Sequence, residues 1–196
     1  MAQKPRMTET RRDSLISAAA ELLDLGGPAA VTLRDVGHAA GVSHNAPYKH
    51  FVDKDDLLAA VASRELRHQA ALAAGDARSK PTPQAIMVEY VRWARRSPER
   101  FKLTFGRWKR DSPELGEAAA LARTILIEAI AKAQARGDLP AGEPERIAVL
   151  VLALAHGAAD LALAGHLSAT GRGHADPEDL VADLFRYLKA SAAADR

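Results

Sequence analysis

A chain of 196 residues suits one compact unit or a small head on a larger body. Hydrophobic residues make up 47% but aromatics only 5%, so the core must be built mainly from Ala, Leu, Val and Ile, a mixture that favours helices over sheets. The absence of Cys excludes disulfides, thiolate nucleophiles and thiolate metal sites, and a formal charge of +2 is too small to mark a nucleic-acid binder by itself.

From the start, Met1 to Asp13 is polar and charged and lacks the apolar core of a signal peptide, which predicts a cytoplasmic protein whose first seven residues form an unstructured arm. Nine helices are predicted, over Thr8 to Leu25, Thr32 to Ala40, His44 to Phe51, Lys54 to Ala74, Pro83 to Arg96, Pro98 to Gly106, Pro113 to Arg136, Pro144 to Ala164 and Pro177 to Ala192. Proline placement carries much of this. Thr82-Pro83, Ser97-Pro98, Ser112-Pro113 and Asp176-Pro177 each set an N-cap residue before a proline, which is tolerated at the first helical position because its missing N–H has no partner there. Gly26-Gly27, Gly75, Gly106, Gly137 and Gly165 mark stops, and the Gly165 to Ala175 stretch reads as a mobile loop. Nothing reads as a strand, so the fold class is all-α. The longest apolar run, Ile147 to Ala155, falls well short of the roughly 18 to 20 residues of a bilayer span, so no transmembrane helix and no membrane partner are expected. Helices lengthen after residue 52, which predicts a head over 1–52 and a body over 53–196.

Within the head, Thr32 followed by Asp35 forms a capping box, and Ala40-Gly41-Val42-Ser43 supplies a tight turn between two short helices. Leu33, Val36, Ala40, Val42 and Phe51 face Leu15, Ile16, Ala19, Leu22 and Leu23 in a three-helix core. The second short helix then presents His44, Asn45, Tyr48, Lys49 and His50, donors and acceptors suited to base edges or phosphates in a major groove. Residues 1–51 hold six Lys or Arg against five acids, yet no acid falls between Ser43 and Phe51, so the signal is local. Lys54 opens the next helix behind Asp53, with Asp56 completing an acid-type capping box, and is placed to clamp a phosphate.

Val36-Gly37-His38-Ala39-Ala40-Gly41-Val42-Ser43, then Tyr48-Lys49-His50-Phe51, Lys54 and Leu57, resembles the signature of TetR-family repressors over residues 12–57. The resemblance implies that Thr32, Arg34, Ser43, Tyr48, His50 and Lys54 hold backbone phosphates while His44, Asn45 and Lys49 face bases. Two departures stand out: Gly37 where the family usually has Ala, and Pro47 inside the recognition helix, where it forfeits a backbone bond and tilts the element. Further on, Leu154-Ala155-His156-Gly157 with Leu161 and Gly165, and Tyr90-Val91-Arg92-Trp93-Ala94 before Ser97-Pro98, resemble the Trp-His-Gly type of TetR C-terminal domain without its Trp; that type is taken to bind effectors and to dimerise.

Tyr90, Trp93, Phe101, Phe105 and Trp108 gather most of the aromatics within nineteen residues, either lining an apolar effector pocket or packing as plain core. His156 and Asp160, four apart, share a helix face and can bond each other, a ligand or a partner helix; no third ligand clusters with them, so no metal and no cofactor are expected. Arg92, Arg95, Arg96, Arg100, Lys102, Arg107, Lys109 and Arg110 form the densest basic segment, read as a solvated face rather than a second DNA contact. Apolar stripes on the last two helices, Ile147, Leu150, Val151, Leu154 and Leu161 on one and Leu180, Leu184 and Leu188 on the other, suit a four-helix dimer interface. No nucleophile elbow, phosphate loop or metal-binding helix points to an enzyme. The expected function is a homodimeric repressor at a palindromic operator in the cytoplasm, on the nucleoid, released by a small-molecule effector; the alternative is a DNA-binding regulator answering to a protein partner.

Overall fold

The computed structural model describes residues 10–76, 79–109, 111–168, 170 and 173–194; the expected N-terminal arm and Arg110 lie outside the described residues. Eight α-helices follow one another: α1 (Arg11–Gly26), α2 (Leu33–Ala39), α3 (Lys54–Ala74), α4 (Pro83–Arg96), α5 (Pro98–Thr104), α6 (Pro113–Ala135), α7 (Pro144–Leu163) and α8 (Pro177–Ala194). Single 3₁₀ turns at Pro28–Ala30 and Pro47–Lys49 complete the order, and no strand occurs among the described residues. The all-α expectation therefore holds, with helix starts governed by local chemistry. Thr10 caps α1 through the Asp13 N–H, Thr82 caps α4 through Ala85 N–H at 3.2 Å, and Ser112 caps α6 through Leu115 N–H at 3.3 Å. Ser97 departs from its expected role: its side chain caps nothing, because the residue already ends α4 as α5 begins.

Two apolar clusters organise the molecule. One joins α1, α2, Phe51 and the first turns of α3 around Leu15, Leu23, Val36, Leu57 and Val61, all with negligible exposure. The other joins α4 to α8 around Val91, Trp93, Phe101, Ile130, Val151 and Phe185. Burying a Leu, Val or Phe in such a setting contributes about 1.5 to 3 kcal/mol each. Helix α3 links them, seating its N-terminal turns in the head's cluster while it packs against α6 of the body.

The seventh helix corrects one expectation. The unbroken apolar run stops at Ala155, but His156 and Asp160 do not break a helix, so α7 continues to Leu163 and is long and apolar enough, by length and composition, to cross a membrane. A third of that stretch, 33%, is buried. Ile147, Ala148, Val151, Ala155, Ala158 and Ala159 face inward, whereas Val149, Leu150, Leu154 and Leu161 remain exposed. On α8, Leu184 and Leu188 pack against the body's cluster, and Tyr187 projects outward.

Candidate functional site

The head's outer face is built from the turn between α2 and α3. Thr32 opens α2, accepting from Asp35 N–H at 3.1 Å while its hydroxyl donates to Asp35 Oδ2 at 2.6 Å. The helix ends at Ala39, and two residues on the chain turns at Gly41, whose φ of +66° lies in the left-handed region that disfavours a side chain. Val42 N–H then donates to the Gly37 carbonyl at 2.9 Å, turning the chain into residues 43–51.

Those residues do not form the expected α-helix over His44 to Phe51. They make successive turns ending in the 3₁₀ turn Pro47–Lys49, with Ala46 N–H on the Ser43 carbonyl and His50 N–H on the Pro47 carbonyl, both at 2.9 Å. Proline explains it: Pro47 has no N–H to give Ser43, so the first α-helical bond of the segment cannot form even though Ala46 is itself in the α conformation. The same ring is fully buried against α2. A Cβ built on Gly37 would meet Pro47 Cγ at 3.2 Å, so the two departures from the family pattern face each other, and the glycine makes room for the proline.

Ser43, His44, Asn45, Tyr48, Lys49 and His50 are all exposed, while Ala46, Pro47 and Phe51 are buried beneath them. Thr32, Arg34 and His44 come together with Asp35, His38 and Val42 around an open depression of about 560 Å³. Lys54, half-buried, is the first residue of α3, whose N-terminus Asp53 caps by accepting from Asp56 N–H at 2.9 Å. Arg34, Lys49 and Lys54 have no carboxylate partner among the described residues. Sequence reasoning missed Arg12, whose guanidinium lies 5.3 Å from the Phe51 ring centre and pairs with Glu114 of α6 at 2.7 Å.

In the body, Tyr90, Trp93, Phe101, Phe105 and His156 form one ring cluster with centroid separations of 5.0 to 6.4 Å. The Tyr90 hydroxyl and His156 Nδ1 are 2.8 Å apart. Burial pushes the Tyr90 phenol well above its ordinary range, so it stays protonated, and the hydroxyl donates to Nδ1 or accepts from it according to the His156 tautomer. Trp93 Nε1 is buried with no acceptor among the described residues. Phe105, 42% exposed, and half-buried His156 bring the cluster to the surface. Two expected members lie apart from it. Trp108 packs against the head's apolar cluster, and Asp160 is exposed on α7.

The basic segment is sorted by its partners. Arg95 pairs with Glu178 at 2.8 Å, Arg96 with Glu89 at 2.6 Å, and Lys102 with Glu99 at 2.8 Å. Arg100 reaches across to the head, holding Asp24 of α1 at 2.6 Å and the nearly buried Glu65 of α3 at 3.0 Å. A second depression of about 550 Å³ opens beside it, lined by Ser17, Arg64, His68, Trp93, Arg96 and others.

A family model for bacterial regulatory proteins of the tetR family matches residues 15–61, and one for the tetracyclin repressor-like C-terminal domain matches residues 84–188. The chain belongs to the TetR family. It is thus a DNA-binding transcription regulator and not an enzyme. No curated protein matches it. Among solved structures, a protein of unknown function from Rhodococcus sp. RHA1 is 27% identical, with a TM-score of 0.76 over 96% of this chain and 98% of its own. A TetR transcriptional regulator from the same organism is 23% identical, with a TM-score of 0.62 over 89% of this chain and 94% of its own. FadR from Bacillus subtilis, solved in complex with stearoyl-CoA, is 15% identical with a TM-score of 0.66 over 90% of this chain and 96% of its own, a likeness of fold. Repression, homodimers and response to ligands are typical of the TetR family.

Proposed function

We propose that this TetR-family regulator is a homodimeric repressor that grips a palindromic operator with two copies of its head, 1–52, and is released when a small molecule engages its body, 53–196. The observation that carries the reading is the run of six exposed polar side chains from Ser43 to His50, free of acid and seated on a buried Ala46-Pro47 base. Thr32, Arg34, Ser43, Tyr48, His50 and Lys54 hold phosphates; His44, Asn45 and Lys49 read bases. Dimerisation covers the outward face of α7, where Val149, Leu150, Leu154 and Leu161 are exposed; burying such side chains contributes about 1.5 to 3 kcal/mol apiece. The same pairing accounts for an apolar helix in a protein that works on the cytoplasmic nucleoid. The effector enters at Phe105 and His156 and offers an acceptor to the Trp93 N–H, joined by Tyr90 and Phe101 as apolar walls. FadR's stearoyl-CoA complex is a precedent for ligand binding on this fold.

Replacing Tyr48 or Lys54 with Ala is expected to abolish operator shifts while helicity and dimer mass persist; unchanged binding removes the DNA mechanism. A second reading, control by a protein partner without an effector, is favoured by rings that already fill their own cluster at 5.0 to 6.4 Å. Thermal-shift screening separates the two. Saturable stabilisation by a small compound, lost on Trp93→Phe, supports the effector, and its absence alongside a stable protein partner supports the second reading.

A further inference from the structure

Arg95, Arg96, Arg100 and Lys102 are each held by a carboxylate. Arg92, Arg107 and Lys109 are exposed cations of the basic segment with no ion pair among the described residues, and the last two lie beyond α4 and α5, in the linker to α6. Between those two sits Trp108. Its ring, together with Leu103, packs against the apolar cluster of the head rather than that of the body. The linker between α5 and α6 is therefore fastened to the DNA-binding unit although it lies far beyond residue 52 in sequence.

Its distance from the end of the recognition segment is bounded through Arg12. That side chain touches both the Phe51 ring, which closes the segment, and Glu114 in the first turn of α6. Lys109 precedes Glu114 by five residues, so even a fully extended chain keeps it within about 18 Å of that contact. Arg and Lys side chains add several ångströms of reach and a flexible charge. Two unpaired cations on a linker anchored to the head complement a polyanion that the head binds.

We infer that Arg107 and Lys109 form a second phosphate-binding surface that engages the backbone of operator DNA flanking the half-site read by residues 43–50. The inference rests on the DNA-binding reading above and extends its footprint. Such contacts add affinity and salt dependence but no base discrimination, because they touch phosphate alone.

The test uses the full-length protein and the duplex it selects from random-sequence DNA, in one form with flanking base pairs and one trimmed to the half-sites. Affinity is measured across ionic strength. With the long duplex, R107Q/K109Q is expected to give a shallower slope of log K against log salt, by about 0.9 for each phosphate no longer neutralised, with base preference unchanged. The paired-cation control K102Q keeps the wild-type slope. Trimming the flanks is expected to bring wild type to the slope of the variant, an arm that needs no substituted protein. Equal slopes for wild type and R107Q/K109Q on the long duplex, or no effect of trimming on wild type, overturn the inference and leave the proposed function standing. Wild-type protein that binds no duplex overturns both.

Discussion

On the outer face of the head, Arg34, Lys49 and Lys54 have no carboxylate within reach among the described residues, whereas along α4 and α5 Arg95, Arg96, Arg100 and Lys102 each hold one. The two sets look alike in sequence, since both place cations close together along the chain. They differ in what the nearby acids do. In the head, Asp13, Asp35, Asp53 and Asp56 are tied to helix N-termini, accepting backbone N–H groups or bonding the cap residue, so they do not neutralise the cations facing outward. In the body, acids contributed by α1, α3 and α8 meet the cations side by side. Unpaired charge is well solvated in water and remains available to a polyanion; paired charge holds helices together. Cation density therefore locates neither role until the partners are known.

This contrast yields graded expectations. Replacing Arg34 and Lys54 together with Gln removes two charge-assisted bonds to phosphate worth about 1.5 to 3 kcal/mol each, so operator affinity should fall by about 10² or more with thermal stability unchanged. A matching fall in melting temperature would erase the distinction between the sets. The opposite pattern is expected at Arg100. Its replacement by Gln strands Glu65, which is only 6% exposed, and should cost about 3 kcal/mol in a denaturation experiment. Adding Glu65→Gln should restore part of that loss, since the orphaned charge is then gone.

Within the head, Gly37→Ala gains up to about 1 kcal/mol from reduced backbone freedom in α2 but meets the Pro47 ring. In a double-mutant cycle it should be more favourable by about 1 kcal/mol when Pro47 is Ala. Additivity would mean the pair is not in contact. The smallest effect belongs to Lys102→Gln, which breaks an exposed pair with Glu99 and should change stability by less than about 0.5 kcal/mol.

Much of the fold is legible in the sequence because its determinants are local. Thr32, Thr82 and Ser112 announce helix starts through bonds to residues three along, whereas α1 begins behind Thr10 rather than at the expected Thr8; the periodic Leu15, Ile16, Leu33 and Val36 announce the head's core. The outward side chains of residues 43–50 are legible for the same reason. Their backbone is less so, since local rules give Pro47 only a tilt, whereas its buried contact to Gly37 ten residues earlier lies outside any local pattern. The ring cluster is readable from helical spacing in Tyr90, Trp93, Phe101 and Phe105, but Trp108 follows a bend at Gly106 that sends it to the other cluster. Pairings such as Arg100 with Asp24, or Arg12 with Glu114, join residues 76 and 102 positions apart, and no short-range signal reports them.

The claim on which all else depends is that residues 43–50 read duplex DNA in two symmetry-related copies. Selection of bound duplexes from a random-sequence pool tests it directly. Enrichment of one short motif repeated in inverted orientation is expected, with centres about one helical turn or more apart. A pool that stays random after repeated selection at low ionic strength contradicts it.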